Sequence, residues 1–268
     1  MIKLTPKEFG QVVDYIYKKY GIDLTKKQFL IESKLNMELE KRGISNFAEF
    51  WRKLQSDFTG ELSQMLIDQL TTNYTYFYRE EKHFNYLRDK IVPKWNQSGE
   101  PVHYVLCAGS ATGQEIYTVA MQLLDCQRMG ILKGDFRVHG VDISQRSLDT
   151  AKKGVYPLAD GERLPKLWMQ SYCHQLENGS LEIRSCVKEK VQFFKANLSK
   201  PLPYLQKFHL VFCRNVMIYF DVESRKKLLE NLETVMHPGG YLIIGHAETI
   251  QGKTEKLKYI EPTIYERV

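Results

Sequence analysis

The sequence predicts an α/β chain in which an all-helical N-terminal region precedes a parallel sheet covered by helices on both faces. Three observations predict it. Residues 5 to about 95 carry apolar positions at helix spacing and little strand character. From about residue 100 the pattern changes to short, β-rich apolar runs separated by helical stretches. One of these runs, Tyr104 to Ala108, stops at Gly109-Ser110-Ala111-Thr112-Gly113 and then starts a helical pattern, which reads as strand, ligand loop, helix.

In the N-terminal region, Thr5-Pro6-Lys7-Glu8 has the form of a capping box with proline at the first helical position. Phe9, Val12, Val13, Ile16 and Tyr17 follow at helix spacing, and the helix should end near Gly21. A second helix is predicted from about Thr25 to Arg42, before Gly43. A third runs from about Asn46 to Leu54 and a fourth from about Gly60 to Leu70. Lys26, Lys27, Lys34, Lys41 and Arg42 give the second helix a basic tint, diluted by Glu32, Glu38 and Glu40. Further on, Val102 to Ala108, Phe136 to Val141, Phe208 to Phe212 and Tyr241 to Ile244 read as buried strands, with helices over 115–129, 144–152 and 222–236 between them. His237-Pro238-Gly239-Gly240 reads as a turn, and Tyr259 to Arg267 as a last strand against Tyr241 to Ile244. Residues 156–195 interrupt the alternation. There Asn178-Gly179, between Ser180 to Arg184 and Val191 to Phe194, reads as a small antiparallel hairpin insertion.

The bulk numbers exclude several classes. With 268 residues, the chain can bury a sizeable core in one large or two modest domains. Its 38 Lys and Arg against 32 Asp and Glu fall short of a nucleic-acid-binding signature, and residues 1–70 hold 11 basic and 10 acidic side chains, so there is no basic arm. Five cysteines form an odd set without a CxxC pair, which predicts reduced thiols in a cytoplasmic protein. The first residues, Met1-Ile2-Lys3-Leu4-Thr5, lack a signal-peptide apolar stretch, and no run reaches the roughly 18 apolar residues of a membrane span.

The glycine loop is not GxGxxG and lacks the Lys-Ser/Thr pair of a phosphate-cradling loop, so a zwitterionic or neutral nucleotide-like ligand suits it better than a triphosphate. Gly109 and Gly113 would allow backbone angles and an approach that a β-carbon blocks. Strand-Gly-helix turns also occur with no ligand at all. Asp142, at the end of the second strand, can either accept hydrogen bonds from ribose hydroxyls or cap the helix from Ser144. Glu115 stands at the loop's mouth, to bind an amino group or hydroxyl or to suit the positive helix start. Residues 208–221 lead polar and aromatic groups past a strand's carboxyl end, and the polar, aromatic segment 71–84 joins the helical region to the sheet. The histidines show no metal-ligand spacing, so no metal is expected.

Thr71-Thr72-Asn73-Tyr74-Thr75-Tyr76-Phe77-Tyr78-Arg79-Glu80, the loop Ala108 to Glu115, Phe212 to Asp221 and Gly245-His246-Ala247-Glu248 are four ordered blocks, with Asp142-Ile143 and Gly154-Val155-Tyr156 between them. Together they resemble the chemotaxis receptor methyltransferase family, CheR, over essentially the whole chain. The resemblance implies a Rossmann-like S-adenosylmethionine (SAM)-dependent methyltransferase domain over 96–268, with an antiparallel β-subdomain inserted at 157–195. It further implies a helical domain over 1–72 and a connecting segment, 73–95, that contributes to the SAM site. The implied reaction is methyl transfer from SAM to glutamate carboxylates on the cytoplasmic domain of transmembrane chemoreceptors, leaving S-adenosylhomocysteine. Position by position, the implied cofactor residues are Asn73, Thr75, Arg79, Glu115, Asp142, Asn197, Leu198, Asn215 and Val216, with Arg79 and Tyr219 nearest the reacting methyl. Gln114, Ile116 and Ala247 depart from the residues common in the family, and the turn Leu176 to Gly179 is shorter than in members that dock on a receptor's C-terminal peptide. Receptor docking through the β-subdomain and the basic second helix is expected, with no nucleic-acid partner and no insertion into the membrane. The competing readings are a SAM-dependent methyltransferase of another protein or small molecule and a non-catalytic SAM-binding module.

Overall fold

The computed structural model describes residues 3–250 and 256–268; Met1 and Ile2, where the reading of the chain's start falls, lie outside them. Four helices build the N-terminal part: α1 (Pro6–Tyr20), α2 (Gln28–Lys41), α3 (Phe47–Gln55) and α4 (Glu61–Leu70). The capping box of α1 forms as its sequence dictates. Thr5 Oγ1 accepts from Glu8 N–H and the Glu8 carboxylate accepts from Thr5 N–H, while Gly21 closes the helix in the left-handed region at φ 74°. The second helix starts later than expected because Asp23 Oδ1 accepts both Thr25 N–H (2.9 Å) and Thr25 Oγ1 (2.7 Å), which holds those residues in a turn. Val12, Ile16, Ile31, Leu35, Leu39, Phe50, Leu66 and Ile67 close the core between the four helices.

The connecting segment is mostly helix: α5 (Lys82–Tyr86) runs through a π-helical turn, Leu87–Ile91, into α6 (Val92–Ser98). The α/β part then follows in the order β1 (Val102–Ala108), α7 (Gln114–Arg128), β2 (Asp135–Asp142), α8 (Gln145–Lys153), β3 (Val155–Pro157), α9 (Lys166–Tyr172), β4 (Cys173–Gln175), β5 (Ser180–Ile183), α10 (Ser185–Lys188), β6 (Val191–Lys195), β7 (Phe208–Cys213), α11 (Val222–Val235), β8 (Met236–Ile244), β9 (Leu257–Glu261) and β10 (Ile264–Arg267). The large sheet has the order β6-β2-β1-β7-β8-β10-β9. Its first five strands are parallel, and β10 returns antiparallel to β8. Covered on both faces, β7 is buried at every position, which explains its unbroken apolar run.

Three expectations need correction. Val191 to Phe194 does not pair with Ser180 to Arg184: it is β6, an edge strand of the large sheet beside β2, so the 157–195 insertion is not all subdomain. The small antiparallel sheet has the order β3-β5-β4 and draws its third strand from Val155–Pro157. Short alternating stretches look alike whichever sheet they join, and only the long-range pairing separates them. Secondly, Tyr259 to Arg267 is not one strand but part of a hairpin, β9 and β10, turned at Thr263 with φ 70°. Thirdly, His237 to Gly240 is not a free turn but the irregular start of β8, where the register to β7 shifts between Phe208 and Leu210.

Candidate active site

The strand order reverses between β1 and β7, and this opens a crevice at their carboxyl ends. A cavity of about 400 Å³ lies there. Asn73, Thr75, Arg79, Glu115, Asp142, Asn197, Leu198, Asn215, Val216 and Tyr219 all line it, although they come from five separate stretches of chain. Tyr20, Ile22, Asp23, Leu24, Lys27 and Leu30, from the end of α1, the α1–α2 connection and the start of α2, form a further wall. That wall is pinned by Asp23 N–H to Tyr219 O (2.9 Å), by Ser199 Oγ to Tyr20 O (2.7 Å), and by an antiparallel bridge between Ile22 and Phe220. Asn197 also serves this join, since its Nδ2 donates to Lys19 O at 3.1 Å.

Asp142 ties the glycine loop to the second strand. Its Oδ2 accepts from Ala111 N–H at 2.8 Å and its Oδ1 from Ser144 N–H at 2.9 Å. The helix cap is Ser144 itself, whose Oγ accepts from Ser147 N–H. Burial raises the Asp142 pKa above the ordinary range, opposed by the amides of Ser144, Ala111 and Ile143. Both loop glycines hold the left-handed backbone that the sequence reading asked of them, and their bare Cα atoms also make room for packing. A β-carbon at Gly109 (φ 83°) would stand 2.4 Å from Val216 Cγ2, and one at Gly113 (φ 98°) 2.8 Å from both Ala151 Cβ and Tyr156 Oη.

Behind the cavity lies a charge network that sequence reasoning did not single out. The Arg214 side chain is 1% exposed; its Nη1 meets Glu115 Oε2 at 3.1 Å and its Nη2 meets Glu80 Oε2 at 3.2 Å. The same Nη2 also donates to Arg79 O, so one guanidinium fixes both carboxylates and the backbone that carries Arg79. Burial raises the Glu115 pKa, with Arg214 pulling it back. His83, packed beside Glu80, is pushed down to about 3 by burial and by the charge of Arg214, so it is neutral. Tyr78 (φ 58°) and Glu80 (φ 59°) hold left-handed backbone on either side of Arg79, a costly conformation that aims its side chain towards the cavity rim. The Arg79 guanidinium donates to Tyr74 O (3.3 Å) and lies over the Tyr76 ring.

A second unforeseen residue is Glu248, which is 5% exposed. Its Oε2 accepts from Asn215 N–H (2.8 Å) and Gly245 N–H (2.7 Å), and its Oε1 from Met217 N–H (2.7 Å). A sequence signal existed for both residues: each is a charged side chain next to an apolar strand end, where burial without a partner would be costly. No such signal marked the α1–α2 wall.

Among the described residues, folding brings together two groups with metal-ligand atoms, Glu80-His83-His246 and Glu100-His209-His237, that sequence spacing did not reveal. In the first, Glu80 is already spent on Arg214. In the second, His209 Nδ1 accepts from Tyr104 N–H (3.0 Å), which leaves its proton on Nε2, pointed at Glu100 Oε2 (2.7 Å). That nitrogen is a donor and not a ligand.

Comparison with known proteins fits these features. Residues 7–71 match the all-alpha domain of CheR methyltransferases, and residues 73–265 match the CheR methyltransferase SAM-binding domain. The chain belongs to the CheR methyltransferase family. A chemotaxis protein methyltransferase of Borreliella burgdorferi is 37% identical, over 99% of this chain and 96% of the relative. Chemotaxis protein methyltransferase 1 of Vibrio cholerae is 30% identical over 97% and 95%, and chemotaxis protein methyltransferase Cher2 of Pseudomonas putida 30% over 95% and 94%. As a CheR protein, the chain is a SAM-dependent methyltransferase. The cavity suits such a cofactor in size and in its mix of apolar wall and polar groups. Among its lining residues, acidic Asp23, Glu115 and Asp142 stand against cationic Lys27, Arg79 and Arg214, a balance that fits a ligand carrying both signs of charge.

Proposed function

We propose that this protein transfers the methyl group of SAM to glutamate side-chain carboxylates on the cytoplasmic domain of chemoreceptors, giving methyl esters and S-adenosylhomocysteine. The observation that carries this reading is the convergence on one cavity of Arg79, Tyr219 and the eight other residues that resemble a CheR cofactor shell. Bound SAM supplies an electrophilic methyl group on a sulfonium centre. The acceptor carboxylate, with an unperturbed pKa near ~4.3, is already ionised at neutral pH and needs no general base. Positioning therefore dominates the chain's own contribution. Glu115, Asp142, Asn73 and Asn215 offer acceptors and donors to the cofactor's polar groups, while Leu198 and Val216 offer apolar wall. Arg79 orients a carboxylate by charge-assisted hydrogen bonds from the end of its guanidinium, leaving the attacking lone pair free. Tyr219, held through its carbonyl by Asp23, lines the approach to the methyl.

Recruitment fits the basic second helix. Its entry contributes Lys27 and Leu30 to the cavity wall, and Lys34 lines the adjoining groove, so an acidic helix lying there would reach the reacting centre. The edge strand β4 of the small sheet offers a second contact. No helix among the described residues is long and apolar enough to cross a membrane. The test is transfer from methyl-labelled SAM to membranes bearing chemoreceptors of the same organism, read as methanol released by alkali. Label on a receptor-sized band that disappears when candidate glutamates become alanine supports the reading. Tight SAM binding without receptor label favours another acceptor or a non-catalytic module.

A further inference from the structure

Glu248 lies in neither the cofactor shell nor the pair assigned to the reacting centre, yet it is the point at which the carboxyl ends of β7 and β8 are joined. Three backbone amides donate to its carboxylate: Gly245 at the end of β8, and Asn215 and Met217 just past the end of β7. Asn215 holds left-handed backbone at φ 59°, a conformation that non-glycine residues adopt at a cost and that a surrounding constraint must maintain. Met217 opens the single 3-10 turn, Met217–Tyr219, that carries Tyr219. Its neighbours leave little slack, since a β-carbon at Gly245 would stand 2.9 Å from both Asn215 N and Glu248 Oε2. Main-chain atoms thus set the direction of the Asn215 side chain and of the Tyr219 ring, and one buried carboxylate holds those atoms.

We propose that Glu248 is a positioning residue for methyl transfer, acting through the backbone amides of Asn215 and Met217 to fix the cofactor-side Asn215 and the acceptor-side Tyr219 relative to each other. The two carboxylate oxygens divide this work. Oε2 serves the Asn215 and Gly245 amides, and Oε1 serves Met217 alone. Glutamine keeps the shape but has one accepting oxygen. Turned to satisfy the two amides on the Oε2 side, it sets its NH2 against Met217 N–H, donor against donor, and frees the turn that carries Tyr219 while leaving Asn215 held.

Because the inference rests on the proposed methyl-transfer reading, its experiment measures two quantities on one preparation: equilibrium SAM binding and single-turnover methyl transfer to receptor membranes, for wild type, Glu248→Gln and Glu248→Asp. If the wild type binds SAM but labels no receptor, the functional reading fails and SAM binding by the variants still tests whether Glu248 holds Asn215. With an active wild type, Glu248→Gln is expected to bind SAM within about threefold of wild type and to transfer methyl about tenfold or more slowly. Glu248→Asp, one methylene shorter, keeps two accepting oxygens but reaches the amides poorly, so both binding and rate should fall. Glu248→Gln with a rate within twofold of wild type overturns the proposal. Equal losses of SAM affinity and rate in Glu248→Gln, or failure of both variants to fold, would assign Glu248 to fold maintenance and overturn it as well.

Discussion

Replacing Arg214 with methionine removes the cation from a site that is 1% exposed and leaves Glu80 and Glu115, 12% and 14% exposed, without it. Breaking a buried ion pair by deleting one partner costs about 3–5 kcal/mol. Methionine recovers part of the packing against the Phe84 and Phe212 rings that the guanidinium now covers. A net loss of about 3 kcal/mol at pH 8 follows, which for a chain of this size lowers Tm by roughly 6–12 °C. The pH dependence gives the argument its direction. Burial already raises the Glu115 pKa, and Arg214 is the charge that opposes it most. Without Arg214 the folded-state pKa rises further, so the variant's stability is retained below the unfolded-state value and lost as pH rises through the folded-state value. The defect must therefore be larger at pH 8 than at pH 5.5. Urea and thermal unfolding at the two pH values, followed by circular dichroism, make the comparison. A loss below about 1 kcal/mol at pH 8, or an equal loss at both pH values, would refute the claim that this buried guanidinium neutralises two partly buried carboxylates.

Arg79→Ala should slow methyl transfer by about 100-fold or more and Tyr219→Phe by less than about tenfold, because the first loses a charge-assisted contact and the second only a hydroxyl; near-wild-type single-turnover rates for both would remove them from the reacting centre. His83 and His139 are held neutral by burial, with pKa values pushed down to about 3 and about 4. The unfolded chain takes up these protons first, so stability should fall by roughly 2 kcal/mol per histidine between pH 6.5 and pH 5. Urea midpoints across that range check this; His139→Gln should flatten the slope, and a flat wild-type curve would contradict the burial argument. Converting Lys26 and Lys34, which lie outside the cofactor cavity, to Glu should raise the KM for receptor membranes while leaving SAM affinity unchanged; an unaltered KM would count against the second helix as the receptor-facing surface.

Local chemistry was legible where a short segment carries its own instructions. The Thr5 to Glu8 box starts α1, Gly21 ends it, and the apolar runs at β1, β2 and β7 declare buried strands because both faces of those strands are covered. The residues nominated from blocks that resemble one family fold to one place, since all ten line a single cavity. Val191 to Phe194 was misread because four residues carry no information about which sheet they will join. The sequence reading gave Gly113 a backbone role, which its φ of 98° bears out, but not the room that its missing β-carbon makes for Ala151 and Tyr156, neighbours that exist only after folding.

The sequence by itself determined the two-part organisation, the order of helices and strands, and the residue types available at a SAM site, because these depend on periodicity, capping and motif spacing over a few residues. Only the tertiary structure decided what closes the site and what holds it. The α1–α2 wall joins the cavity through main-chain contacts to Tyr219 and Phe220 and through Ser199 Oγ donating to Tyr20 O, contacts that no local pattern announces. Arg214 meets Glu80 and Glu115 across 134 and 99 residues of chain, and Glu248 meets the Asn215 amide across 33. A buried charge has no stable place without its partners, and those partners are chosen by the packing of distant segments.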